Sequence, residues 1–212
     1  MSNKVTIDKA KFEMCKNDEK FYLIIALMKI LNVLKYCQYC IIESKKYKEP
    51  VDLMMRFNGL FYSVGVIFEA YNLRNRLYEN FKGIPEFDNG LKKLFETKEY
   101  NKLINDVISN FRNKSIFHYD IEFIKDALNL YNNPEYNVLI SSGTESLYNY
   151  YIMADEVFLG SLINFGKTEK EQEENLKDLL TKVLQIMMKF CEDAEQLIAF
   201  YLISIADVQF QK

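Results

Sequence analysis

The hydrophobic and polar positions of the chain follow helical spacing over most of its length. Between about residues 20 and 44, polar residues recur every three positions and almost everything between them is apolar. This pattern predicts a largely buried helix with a narrow polar stripe. Between residues 53 and 81, large apolar residues alternate spacings of four and three. That alternation is typical of a packed helical seam.

One position of the helical seam at residues 53–81 is charged. Arg74 stands where its neighbours in the repeat are large and apolar. A buried guanidinium without a partner is unfavourable, so two interpretations remain open. Arg74 is either an arginine at the rim of the helix, close to its end, or a second ligand for a phosphate group.

The rest of the chain also indicates helices. A turn is predicted around Gly83, Pro85 and Gly90. Further helical stripes follow at residues 91–111, with a notch near Thr97, and at residues 116–131. Two more helices are predicted at residues 144–160 and from about 168 to 207, and no useful length of strand-like alternation occurs. The predicted fold is all-α: one domain over residues 1–212, an up-and-down four-helix bundle with its core at about 20–132, and a C-terminal helical extension at about 143–208.

Composition and charge narrow the classes of protein. The 212 residues include 49% hydrophobic residues, 3 Pro and 7 Gly, which is typical of a globular helical chain. The net charge of −3 excludes a global positive field for nucleic acid, and the small cluster Lys92-Lys93 is interpreted as solvated surface. The longest apolar run, residues 21–28, is too short for a membrane span, and no secretory signal is evident. We therefore expect a cytoplasmic protein.

The four cysteines offer little chemistry. Cys37 and Cys40 form a lone CxxC within an apolar helical stretch, with no second CxxC and no nearby histidine. Zinc sites usually supply four ligands at characteristic spacings. Two buried thiols are therefore favoured over a zinc site, and no disulfide, metal or cofactor is expected.

The most distinctive motif lies at residues 111–120, Phe-Arg-Asn-Lys-Ser-Ile-Phe-His-Tyr-Asp. It resembles the Arg-x4-6-His signature of the HEPN superfamily, including the polar residue Asn113 directly after Arg112. The resemblance implies a helical bundle that dimerises about the motif helices. Many members are metal-independent ribonucleases of toxin–antitoxin, abortive-infection or CRISPR-linked defence systems, and others have lost activity. Residues 144–212 are not covered by the resemblance.

The residue types of this motif suit metal-independent RNA cleavage. His118 can transfer a proton near neutral pH, and Arg112 can stabilise charge that develops on phosphorus. Asn113 could orient the phosphate or the imidazole. Six residues on a straight helix correspond to about 600° of rotation, which leaves Arg112 and His118 about 120° apart. His118 is the only histidine of the chain, so an acid and base pair requires a two-fold homodimer.

Other positions of the motif extend or weaken the resemblance. Lys114 and Tyr119 are candidate RNA-binding residues together with Arg74, although a solvated lysine explains Lys114 as well. Some HEPN toxins carry His-x-Tyr, in which an antitoxin nucleotidylates the tyrosine. In this chain Asp120 stands at that position and Tyr119 directly follows the histidine. Control by that route is therefore in doubt.

Several functions remain open at this point. The first is a HEPN ribonuclease or toxin-like defence protein that acts on RNA. The second is a catalytically inactive HEPN module that dimerises, or binds nucleotides, and acts through an antitoxin or another defence-system partner. In the plainest interpretation, His118 is an ordinary helical histidine and Arg112 a surface cation. A metal-dependent carboxylate bundle is set aside because no Glu-x-x-His occurs.

Overall fold

The computed structural model describes residues 7–43, 51–109, 121–130, 154, 157 and 169–205. These ranges contain helices and no strand, which confirms the all-α prediction for them. The elements, in chain order, are α1 (Lys9–Cys15), α2 (Glu19–Glu43), α3 (Val51–Asn72), α4 (Arg74–Phe81), α5 (Pro85–Asn89), α6 (Leu91–Glu96), α7 (Lys98–Leu103), a π-helical turn (Ile104–Ile108), α8 (Ile121–Leu130) and α9 (Glu169–Ile205).

Two of the three longest helices predicted from periodicity are confirmed. The helix expected at about residues 20–44 is α2, and the helix expected from about 168 to 207 is α9. The notch near Thr97 is also present, since Thr97 is extended (φ −64°, ψ 128°) and separates α6 from α7. The helix predicted at residues 144–160 and the motif at 111–120 lie outside the described residues, apart from positions 154 and 157.

The seam at residues 53–81 is not one continuous helix. The helix α3 ends at Asn72, Leu73 forms a turn, and α4 begins at Arg74. The Leu73 amide donates to the Ala70 carbonyl at 3.2 Å, which tightens the last turn of α3. The prediction of an unbroken helix was therefore wrong at Leu73, because the spacing of apolar residues continues across the break.

The turn predicted around Gly83 contains a short helix of its own. Gly83 has a φ of +89°, in the left-handed region that favours glycine. Its amide donates to Asp88 Oδ2 at 3.0 Å, and Pro85 occupies the first position of α5, where a missing N–H costs nothing. The helix α1 was not predicted; Asp8 caps it by accepting from the Lys11 amide at 2.9 Å.

Helices α2 and α9 contact each other at two places. Near the C-terminal end of α2, Lys35 pairs with Glu195. Before the N-terminal end of α2, Asp18 accepts a hydrogen bond from the Tyr201 hydroxyl at 3.1 Å. Helix α3 lies close against α2 because Gly59 has no side chain: a Cβ there would lie 3.0 Å from the Cys37 carbonyl oxygen.

One hydrophobic core joins the long helices to the short ones between them. Residues buried within it come from α2, α3, α4, α5, α6 and α9 alike. The largest of them include Leu27, Leu34, Ile67, Phe81, Phe87, Phe95, Phe190 and Leu197. Helix α9 therefore shares one core with α2 and α3, whereas the sequence analysis assigned residues 143–208 to a C-terminal helical extension.

Among the described helices, α2 is long and apolar enough to cross a membrane by length and composition. The mean hydropathy of its most apolar stretch is 1.4, and a third of that stretch is buried within the protein. Nine residues of α2 lie in the core, including Ile24 and Leu34. The core helix of a globular protein passes the same test of length and composition as a membrane span.

Candidate functional site

The motif on which the sequence hypothesis depends lies outside the described residues. Arg112, Asn113, Lys114, His118 and Tyr119 all fall in residues 110–120, between the end of one described range and the start of α8. Their roles as catalytic and RNA-binding residues stay predictions.

The chain approaches the motif through a π-helical turn. Residues Ile104–Ile108 form this turn directly after α7, and both Ile104 and Ile108 are buried in the core. Single π-helical turns inside longer helices are rare and are frequently found at functional sites. The turn begins eight residues before Arg112, so the segment that leads into the motif is anchored to the core.

Arg74 occupies a well-defined place at a helix boundary. It is the first residue of α4 and is half-buried. Its Nη1 donates to the Tyr71 carbonyl at 3.1 Å, and its Cζ lies 3.9 Å from the centre of the Tyr71 ring. The guanidinium thus satisfies a carbonyl at the end of α3 and makes a cation–π contact. These contacts explain its partial burial without a phosphate, and its role in RNA binding stays a prediction.

Tyr71 also belongs to an aromatic cluster that fixes α7. The Tyr71 hydroxyl donates to Asn101 Oδ1 at 2.8 Å, and its ring centre lies 5.8 Å from that of Tyr100. The Asn101 amide in turn donates to the carbonyls of Phe95 at 2.7 Å and Thr97 at 3.0 Å. Asn101 therefore bridges the notch between α6 and α7 and holds the two short helices in a fixed relation.

A cavity of about 640 Å³ opens between α7 and α9. Its polar lining includes three lysines: Lys98 and Lys102, which lie one turn apart on α7, and Lys182 on α9. The lining residues are Leu94, Thr97, Lys98, Glu99, Tyr100, Lys102, Leu103, Lys182, Gln185 and Ile186. None of these residues was singled out from the sequence as a site residue. The spacing of four between Lys98 and Lys102 was the one local signal.

The Tyr100 side chain forms part of the cavity wall and is almost fully buried. Its hydroxyl has no hydrogen-bond partner in the described structure. Burial raises the pKa of this hydroxyl above its ordinary value; Tyr71 acts in the same direction and the positive charge of Arg74 acts against it. Tyr100 is therefore a neutral hydrogen-bond donor and acceptor at neutral pH.

A second buried polar group lies on α9 away from the cavity. The Asp193 side chain is 2% exposed, and its Oδ1 lies 2.8 Å from Lys189 Nζ. Its Oδ2 has no hydrogen-bond partner among the residues that the structure covers. Burial raises the pKa of Asp193, while Lys189 acts in the opposite direction. Asp193 also packs against Gly90, where a Cβ would lie 3.1 Å from the Asp193 Cβ.

The described residues contain no cluster of three or more His, Cys, Asp or Glu side chains that could hold a metal ion. Within the CxxC, Cys37 and Cys40 are buried free thiols. Burial raises the pKa of Cys37 to about 11, with Cys40 acting in the same direction. A thiol with a raised pKa is a poor nucleophile and a poor metal ligand at neutral pH.

Comparison with models of protein families, with curated proteins and with solved structures finds no match for this chain.

Proposed function

We propose that the chain is a metal-independent endoribonuclease of the HEPN type, or a toxin-like defence protein, that cleaves RNA at the interface of a homodimer. Arg112 and His118 are the proposed catalytic residues and Asn113 supports them. Lys114, Tyr119 and Arg74 are proposed RNA-binding residues. The proposal includes an up-and-down four-helix bundle of HEPN type and a cytoplasmic location, and it requires no cofactor.

The observation that carries the proposal is the motif at residues 111–120 in an all-α chain. Arginine and histidine together supply what RNA cleavage without a metal requires: proton transfer to and from oxygen, and a cation beside the phosphorus. The lysine-lined cavity adds support, because α7 borders it and leads through the π-helical turn toward the motif. A basic surface on the segment that precedes the motif in sequence would attract the RNA backbone.

Symmetry is a necessary part of this mechanism. A single protomer has one histidine, so it lacks a histidine pair for the acid and base roles. A two-fold dimer doubles His118 and Arg112 at one interface. One His118 would then accept the proton of the 2′-hydroxyl and the other would protonate the leaving 5′-oxygen. The products would be a 2′,3′-cyclic phosphate and a 5′-hydroxyl.

The decisive experiment measures cleavage of single-stranded RNA by the full chain in EDTA. His118→Ala and Arg112→Ala should each abolish cleavage, because each removes a group that acts in the transition state. Lys125→Ala is the control, since Lys125 is an exposed cation of α8 just after the motif. Cleavage that persists in His118→Ala would refute the assignment, and a purely monomeric protein in light scattering would refute the composite site.

The alternative is a catalytically inactive HEPN module that acts through an antitoxin or another defence-system partner. The acidic net charge of −3 favours this alternative, because a strong global attraction for RNA is missing. Purified protein that dimerises and binds nucleotides, yet leaves RNA intact under all conditions, would select it.

A further inference from the structure

One face of α2 carries large hydrophobic side chains that the rest of the described chain leaves exposed. Tyr22, Ile25, Tyr36 and Tyr39 lie on this face and are between 47% and 64% exposed. Single exposed hydrophobic residues are normal on protein surfaces, but a row of them marks an interaction site. This row extends over residues 22–39, which is about 26 Å of helix at 1.5 Å per residue. Its length is sufficient for contact with another helix.

The spacing along this face is that of two packed helices. From residue 22 onward, exposed positions follow one another in alternating steps of three and four residues. They are Tyr22, Ile25, Lys29, Asn32, Tyr36 and Tyr39. A repeat of about 3.5 residues keeps the same face of a helix turned toward one partner helix along its whole length. We call these six exposed residues the α2 ridge.

The α2 ridge is symmetric about its own centre. Its six positions form three pairs, and the members of each pair lie equally far from the point between residues 30 and 31. From the ends inward, the pairs are Tyr22 with Tyr39, Ile25 with Tyr36, and Lys29 with Asn32. If two copies of α2 pack antiparallel about a two-fold axis through that point, each residue meets its counterpart on the other copy. Large side chains then meet large ones, and polar side chains meet polar ones.

The polar pair at the centre of the α2 ridge determines the orientation. In a parallel pairing, Lys29 would face the same lysine of the other copy, and the like charges would repel. In the antiparallel pairing, Lys29 faces the partner's Asn32, whose amide oxygen can accept a hydrogen bond from the ammonium group. Polar residues at such positions fix the register of paired helices. A lipid surface fits less well, because a charge at the middle of the ridge would lie deepest in the membrane.

A groove beside the α2 ridge offers this lysine a second partner. The groove lies between α2 and α9 and measures about 270 Å³. Apolar side chains such as Leu202 form most of its lining, and Asn32 and Glu195 also belong to it. Glu195 is about half exposed and pairs with Lys35. Because Asn32 belongs to both the ridge and the groove, Lys29 of a second copy would place its stem on the apolar wall and its ammonium group toward Glu195.

We propose that two copies of this chain pack against each other through the α2 ridge, with their α2 helices antiparallel about a two-fold axis. The tyrosines suit this role, since tyrosine rings cover a large contact area at a low cost in conformational entropy. The ridge contains no residue of the motif at 111–120, so this pairing joins different residues from the interface that RNA cleavage requires. The inference therefore does not rest on the ribonuclease proposal.

The test measures the mass of the full chain by light scattering at low ionic strength, over about 1–100 µM protein. Two substitutions at one exposed residue should have opposite effects. Asn32→Glu places a carboxylate opposite the partner's Lys29 and should tighten the association about threefold or more. Asn32→Lys places two lysines opposite each other and should weaken it about tenfold. Each change occurs twice in a two-fold interface, so its effect counts twice.

A third variant tests the hydrophobic contacts of the α2 ridge. Ile25→Ala/Tyr36→Ala removes two large side chains from each copy, and it should weaken the association by more than about tenfold. Both side chains are about half exposed or more in the single chain. Thermal unfolding of the dilute double variant should therefore match that of the dilute wild type, which separates lost association from lost folding.

The matched controls are Gln185→Glu and Gln185→Lys. Gln185 is an exposed amide of α9 that lines the cavity beside α7 and lies outside the α2 ridge. These controls and His118→Ala should leave the association through α2 unchanged. If the motif also joins copies, the wild type should exceed a dimer and Asn32→Lys should halve its mass.

Three results would overturn the proposal. They are a wild type that stays monomeric at about 100 µM, an assembly whose mass ignores every substitution in the α2 ridge, and an Asn32→Glu variant that weakens association as Asn32→Lys does. RNA that stays intact while the ridge variants change the mass would refute the ribonuclease proposal alone.

Discussion

The two halves of α9 have different surroundings although one helix contains both. In the second half, Phe190, Ala194 and Leu197 are buried against the other helices. In the first half, Lys182 and Ile186 border the cavity opposite α7. The first half also buries Val183 and Met187 in the core, so stability should depend on the buried side of α9 along its length and little on its exposed side. Substitutions at buried and exposed positions test this contrast.

The largest effect is expected from Phe190→Ala. Phe190 is 1% exposed, and its ring centre lies 6.5 Å from that of Phe95. Removing a buried ring from a packed core typically costs about 3–5 kcal/mol of unfolding free energy. Denaturant unfolding should show a loss of that size. The control Met188→Ala lies on the same helix but is 59% exposed, and it should change stability by about 0.5 kcal/mol or less. Equal losses would contradict the contrast.

A smaller effect is expected from Lys189→Ala. Lys189 is half exposed, but it is the cation that pairs with the buried Asp193 carboxylate. Its removal leaves a buried charge unpaired, which should cost about 1–3 kcal/mol at neutral pH. The double variant Lys189→Ala/Asp193→Asn should recover part of this loss, because no charge is then buried. A double variant less stable than Lys189→Ala would show that the carboxylate has another role.

The same pair makes a prediction about pH. Because burial raises the pKa of Asp193, the folded state retains this proton better than the unfolded state. Stability contributed by this group should therefore fall as pH rises from the ordinary carboxyl pKa of about 4 through the raised pKa of the folded state. Asp193→Asn should reduce that slope. Unfolding midpoints measured from pH 4 to 8 test it, and an unchanged slope would exclude Asp193 as its source.

The long helices were predictable because their signal is repeated over many turns. Helix α9 shows apolar residues at helical spacing over 37 residues, so its bounds follow within two residues. Helix α1 was missed because it has seven residues and none of them is buried. The break at Leu73 was missed because its cause is a local turn of the backbone, and the apolar spacing on either side remains in phase.

The candidate sites differ in how much the sequence reveals of them. The Arg112 and His118 motif is contiguous, so it could be noticed from the sequence. The cavity could not, because Lys98 and Lys182 come from helices far apart in the chain. Sequence clustering directed attention instead to Lys92 and Lys93. The structure shows that the partly buried Lys92 pairs with Asp88 and that the exposed Lys93 donates to Asn89.

The smallest effect on stability is expected from Tyr100→Phe. The substitution keeps the ring contacts with Tyr71 and Phe95 and removes a buried hydroxyl that has no partner in the described structure. A buried unsatisfied polar group is unfavourable, so the free protein should gain about 1 kcal/mol or slightly less. Thermal unfolding of the wild type and of Tyr100→Phe measures the difference. A Tyr100→Phe protein that is less stable than the wild type would mean that the hydroxyl has a partner in the folded protein.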